Sequence, residues 1–207
     1  MASKSVSTVS RREANKLDKR ARLREAAQRL FRAQGYEATT TRQVADEAGV
    51  ASGTLFLYAR DKQDLVFLVM HEHLRVASEE AFATLPRRAT LLAALRHVFS
   101  RLYAMYGRHE ALARHFVMSL PGADGPNALE VNALTFGFLQ RLATLVEQAQ
   151  ARGEVRAELA PLAVANLSFE LYFTALLRWI SGLATIEQLP DVVGGSLQLL
   201  FDGVAAG

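Results

Sequence analysis

The chain has no cysteine among its 207 residues, only five prolines and a single tryptophan. Without thiols, disulfide frameworks, thiolate zinc sites, iron–sulfur clusters and cysteine nucleophiles are all excluded. Long uncharged apolar runs are missing too. The most apolar stretch, 159–186, is interrupted by Glu170 and Arg178, short of the ~18 apolar residues that a spanning helix needs. The opening segment MASKSVSTVSRREANK is polar and basic, unlike a secretory signal, so a cytoplasmic protein with no membrane partner is expected. Period-2 alternation of useful length is absent, which leaves an all-α fold. There is no HExxH, P-loop or nucleophile elbow, and the pairs His71/His73 and Glu79/Glu80 diverge on a helix. The reading is therefore no enzyme, no catalytic residue, no metal and no cofactor.

What is present is a large apolar fraction and an uneven charge. Half of the residues are hydrophobic, enough for a sizeable core and too many for a disordered chain. The net charge is only +3, but residues 1–42 hold eleven Lys/Arg against four Asp/Glu, a balance of +7. Residues 65–207 hold eleven against thirteen, or −2. A basic end on a neutral body is what a phosphate-binding surface needs, because counterion release depends on clustered charge. A solvated basic tail or a basic helical protein at a membrane surface would show the same asymmetry.

Residues 1–15 lack periodicity and read as a flexible basic arm. From Leu17 the pattern turns helical, with Leu23, Ala26, Ala27, Leu30 and Phe31 on one face, until Gly35. Thr40 followed by Gln43 forms a capping box that starts a short second helix, and Gly49 supplies the tight stop after Val44, Ala45 and Ala48. A third short helix covers Ser52–Tyr58. Asp61 and Asp64 then offer carboxylates to the start of a fourth, which runs to about Leu85. Further helices are expected around 91–106, 110–120 and 134–149, then after Pro161 and Pro190, about nine in all. PGADGPN at 121–127 reads as a flexible break. The division is an arm over 1–15, a helix-turn-helix domain over 16–62 and a helical remainder over 63–207.

Two short helices joined by a glycine turn form a helix-turn-helix, whose second helix fits a major groove roughly 12 Å wide. The segment GYEATTTRQVADEAGVASGTLFLYARDKQDL resembles the N-terminal signature of the TetR/AcrR transcriptional regulators, over about Leu17–Leu68. The resemblance implies a homodimeric regulator, usually a repressor, whose C-terminal domain binds a small molecule that releases it from DNA. It also implies roles for single residues. Thr40 and Thr41 cap the second helix and touch phosphate, Arg42 reaches a base edge, and Ser52, Gly53, Thr54 and Phe56 lie on the recognition helix. Tyr58 and Lys62 match phosphate-contacting positions. Ala51, Phe56 and Ala59 depart from the family's Ser, Tyr and aromatic residue, removing a helix cap, a hydroxyl and some packing. Leu55 and Leu57 are read as packing residues. Lys4, Arg11, Arg12 and Lys16 either reach along a minor groove or are merely solvated.

The remaining residues exceed what is needed to support three small helices, and they are rich in aromatics. Phe99, Tyr103, Phe116, Phe136, Phe138, Phe169 and Phe173, with His97, Asn132 and Asn166 as polar groups, are the candidate walls of an effector pocket. No Arg or Lys cluster falls in that predicted core, which favours a largely apolar or planar effector. The last two helices are apolar nearly all round, and Gly194 and Gly195 permit close helix contact. They would form the dimer interface, so that the DNA operator is an inverted repeat. An alternative keeps DNA binding but drops the effector, as in TetR-like proteins of chromosome organisation or division.

Overall fold

The computed structural model describes residues 10–204, and among these no strand occurs. Nine helices follow one another: α1 (Arg11–Ala38), α2 (Thr41–Glu47), α3 (Ser52–Leu55), α4 (Lys62–Ala83), α5 (Leu91–Arg108), α6 (Glu110–Ser119), α7 (Pro126–Ala151), α8 (Pro161–Ile180) and α9 (Leu189–Val204), with a 3-10 turn at Ile186–Gln188 before the last.

α1 begins earlier than the apolar pattern does. Ser10 accepts the amide of Glu13 and the Glu13 carboxylate returns to the Ser10 amide, so a complete capping box starts the helix at Arg11 although residues 11–19 are all exposed. Arg11, Arg12 and Lys16 therefore ride on a helix rather than on a flexible arm, while Lys4 lies outside the described residues. The helix breaks at Gly35, whose φ of 81° is open to glycine at little cost. Beyond it Thr40 caps α2 through its bond from the Gln43 amide at 3.2 Å. Leu23, Ala26, Ala27, Val44, Ala45 and Leu55 are fully buried and form one small core under α1, α2 and α3.

α4 joins this domain to the rest. Asp64 to Met70 are buried without interruption, which on a helix means neighbours on every side: α4 packs against α1, α5, α6 and α7. The expected boundary at 62/63 thus falls inside the first turn of a helix shared by both parts. α4 stops at Ala83 rather than near Leu85. The larger part buries Phe67, Phe99, Tyr103, Phe116 and Trp179 almost completely, each contributing ~1.5–3 kcal/mol by removal from water. Pro126 and Pro161 begin α7 and α8, where a missing amide hydrogen costs nothing. Gly194 and Gly195 do different jobs: the first is covered by the Arg96 guanidinium, and the second faces open space.

Candidate nucleic-acid interface and ligand cavity

The α2–α3 turn is held from outside the motif. Gly49 has φ +63°, and the Arg22 guanidinium of α1 donates to the carbonyls of Ala48 and Gly49. α3 itself is a single turn; the chain continues to Tyr58 by i→i+3 bonds, Leu57 N to Thr54 O and Tyr58 N to Leu55 O. Its N-cap is Ala51, with no side-chain bond, so Ser52 does not take over the missing cap. Leu55 is buried beneath the turn, whereas Ser52, Gly53 and Phe56 are exposed and Thr54 is half-buried. A Cβ on Gly53 would meet nothing within 4 Å. Glycine is therefore not demanded by the protein's own packing, and only an approaching partner would limit the side chain there.

Around this face the expected residues separate into free and committed groups. The Arg42 side chain is 84% exposed, with Asp46 no closer than 4.0 Å. The Thr40 hydroxyl is occupied by its cap, and Thr41 is half-buried at the first position of α2. The Tyr58 ring packs on the core. Lys62 points inward: its Nζ donates to the carbonyls of Tyr36 at 2.9 Å and Glu37 at 3.2 Å, and lies 4.3 Å from the Tyr36 ring centre. It neutralises the negative end of α1 instead of standing free for phosphate. Leu57, read as a packing residue, is 79% exposed and is corrected accordingly. In a helix of one turn, a position two residues from the buried Leu55 faces outward.

The second feature is a narrow cavity of about 70 Å³ between α4, α5, α6, α7 and α8, walled among others by Leu74, Leu102, Phe116, Leu120, Val131, Leu134, Phe138, Phe169 and Phe173. Its polar groups are Ser78, Thr135, Tyr106 and Tyr172. Burial pushes the Tyr106 hydroxyl up to about 12 and that of Tyr172 well above its ordinary value, so the wall stays uncharged at neutral pH. Of the ten residues expected here, Phe116, Phe138, Phe169 and Phe173 line the cavity. Phe99 and Tyr103 stand one layer behind, both stacked on Tyr172. Phe136 is 61% exposed, Asn132 is exposed and Asn166 is half-exposed outside the wall. His97 is 3.0 Å from the Thr84 hydroxyl instead. One turn along α4 from Leu74, Arg20, Arg24, His71, Glu72 and Arg75 surround a separate notch.

A third group had no local signal. The segment 121–127 is tied down rather than flexible: Asp124 pairs with Arg60, and Asn127 bonds to Asp64 and to the Tyr58 carbonyl. Partners 63 and more residues apart leave no periodicity to detect; a proline and an asparagine opening a long helix were the sole hint.

Residues 23–69 match the family described as bacterial regulatory proteins, tetR family. The fatty acid metabolism regulator protein of Bacillus subtilis (strain 168) is 23% identical over 183 residues, covering 87% of this chain and 92% of that one. The HTH-type transcriptional regulator HbdR of Aromatoleum sp. (strain CIB) is 35% identical over 85 residues, 41% of this chain and 34% of its own length. Among solved structures, the Thermus thermophilus FadR, a TetR-family transcriptional repressor in complex with lauroyl-CoA, superposes with a TM-score of 0.71 at 25% identity, covering 89% of this chain and 94% of that one.

Proposed function

We propose, from the premise that this chain belongs to the TetR family of transcriptional regulators, that it is a homodimeric repressor released from an inverted-repeat operator when a long-chain acyl-CoA enters the cavity. The observation that carries the reading is the uncharged wall. Not one Arg, Lys, Asp or Glu lines the cavity, so an alkyl chain is accommodated and an anionic head is kept out, because a buried unpaired charge costs several kcal/mol. The notch of Arg20, Arg24, His71, Glu72 and Arg75 lies outside the cavity, and its guanidinium groups are paired with Glu130, Glu72 and Glu79, so a phosphate reaches them only by displacing a carboxylate. The likeness to a repressor that binds lauroyl-CoA, and to a fatty acid metabolism regulator over most of both chains, supports the same ligand class. At about 70 Å³ the cavity is below the ~300 Å³ of ordinary ligand sites, so an acyl chain enters only as the helices around it part.

Operator contact is assigned to Arg42 of α2 and to Ser52, Gly53, Thr54 and Phe56 of the α3 turn, all exposed but the half-buried Thr54. Dimerisation is assigned to α8 and α9. Leu167 and Leu177 are exposed on α8, on a stripe that also carries Glu170 and Thr174, and Leu199 is 76% exposed on α9; large apolar side chains left exposed on both helices support an interface there. The assignment is tested by selecting bound duplexes from a random pool and titrating the best with lauroyl-CoA, laurate and free CoA. Selection of inverted repeats, released by lauroyl-CoA well before the other two, is expected. Retention of the duplex at saturating lauroyl-CoA would remove the acyl-CoA reading and favour a DNA-binding protein without an effector.

A further inference from the structure

We propose that Asn127, the second residue of α7, is the positioning residue through which the cavity acts on the recognition helix. The side chain is 1% exposed and Asp64 2%, so every polar bond between them is made away from water. Asn127 spends nearly all its hydrogen-bonding capacity at this point. Its amide donates to Asp64 Oδ1 at 3.1 Å, and its Nδ2 donates to Asp64 Oδ2 at 2.9 Å and to the Tyr58 carbonyl at 2.8 Å. Its Oδ1 accepts from Arg20 of α1 at 3.0 Å. Asp64 also accepts the Arg60 amide at 3.0 Å. The backbone that leaves the recognition helix is thus held, at Tyr58 and Arg60, by one asparagine of the sensor part and the carboxylate that it orients.

Two further contacts keep the joint closed. Asp124 pairs with Arg60, which lowers the carboxyl below and raises the guanidinium above their ordinary values. Gly125 lies so near that a Cβ there would fall 2.4 Å from Asp64 Oδ1, and no larger residue lets the segment approach.

The same helix reaches the cavity. Val131, Thr135 and Phe138 line it, and from Asn127 to Phe138 a continuous helix spans about 16 Å at 1.5 Å per residue. A helix of this length moves as a rod. Parting α7 from α4 and α8 to widen the cavity therefore displaces Asn127 relative to Tyr58, or drags the recognition helix with it. Either outcome alters the helix that meets DNA, without a ligand contact in the DNA-binding part. The inference rests on the cavity being the sensor, but not on the identity of what fills it.

A ligand-independent double-mutant cycle in the full chain tests this. Thr135→Phe fills the cavity from its own wall, and Asn127→Ala cuts the joint; Asn127→Ser replaces the alanine variant if that one does not fold. Affinity for the selected duplex and amide exchange over residues 58–60 are measured in all four proteins. Thr135→Phe is expected to change duplex affinity by about tenfold alone and by less than about twofold in the Asn127 variant. The Asn127 variant should exchange the amides of 58–60 faster while residues 23–45 are unchanged. Equal effects of Thr135→Phe in both backgrounds, or unaltered exchange at 58–60, overturn the proposal. If no duplex is bound, the DNA-binding reading fails and the exchange cycle alone decides. If lauroyl-CoA does not bind while Thr135→Phe still acts through Asn127, the acyl-CoA reading fails and the joint stands.

Discussion

Replacing Lys62 with methionine separates a structural cation from a DNA-binding one. In the structure the ammonium makes two charge-assisted bonds to α1 carbonyls at 2.9 and 3.2 Å and sits over the Tyr36 ring. Each such bond is worth about 1.5–3 kcal/mol, with a further ~0.5–1 kcal/mol from the ring. Against this stands partial exposure, which screens the ammonium; methionine, as flexible a side chain as lysine, gives back little rotamer entropy. A net loss of about 2 kcal/mol follows, or roughly 4–8 °C in melting temperature for a chain of this size. Methionine keeps the stem, so the loss reports the charge. The counterpart is Arg42→Ala, which removes an 84% exposed side chain whose ion-pair partner, Asp46, is 4.0 Å away and itself exposed. It should leave stability within about 0.5 kcal/mol. If Arg42 meets phosphate in each half-site, two contacts are lost per dimer. The slope of log affinity against log salt then falls by about 1.8. Thermal melts and duplex titrations at several salt concentrations measure both quantities. The reasoning is refuted if the methionine variant melts like the parent while its salt slope drops by about 1.8, for then the ammonium leaves α1 for the phosphate.

Gly53→Ala should be neutral or stabilising by up to ~1 kcal/mol, since a Cβ meets nothing there. The same change should weaken duplex binding at least several-fold; unaltered binding would place the DNA elsewhere. Leu177→Arg should leave the monomer folded, because this side chain is 45% exposed. It should weaken dimerisation by 30-fold or more, from a loss of ~2 kcal/mol or greater at an interface anchor, read by sedimentation. An unchanged dimer removes this face of α8 from the interface. His73 stacks on His109 at 3.9 Å. Burial first, and then His109 and the arginines nearby, lower its pKa from an ordinary 6.5 to about 4. The unfolded chain takes up this proton first. Stability present above pH 6.5 is therefore lost as the pH falls from 6.5 towards 4, in a range that begins above the carboxylates. His71 and His109 are lowered in the same sense, so His73→Gln should flatten the fall in melting temperature without abolishing it. An identical pH profile in the variant would show that His73 does not contribute.

The sequence by itself determined what rests on neighbours three and four residues apart. Leu23, Ala26, Ala27 and Phe31 declare the buried face of α1, Thr40 and Gln43 its successor's start, and Gly49 the turn, because caps and helical periodicity are local physics. The same reasoning places Phe138 inward and Phe136 about 200° away, so the phase of α7 turns Phe136 out of the cavity despite its aromatic ring. Tertiary structure decided the rest. Whether Lys62 meets phosphate or the end of α1 depends on a carbonyl 26 residues earlier. The joint of Tyr58, Asp64 and Asn127 exists only because α7 docks where α3 ends, and the cavity only because five helices converge on it. Bonds made between segments far apart in the chain leave no spacing to read, so side chains of unremarkable type acquired their meaning from packing.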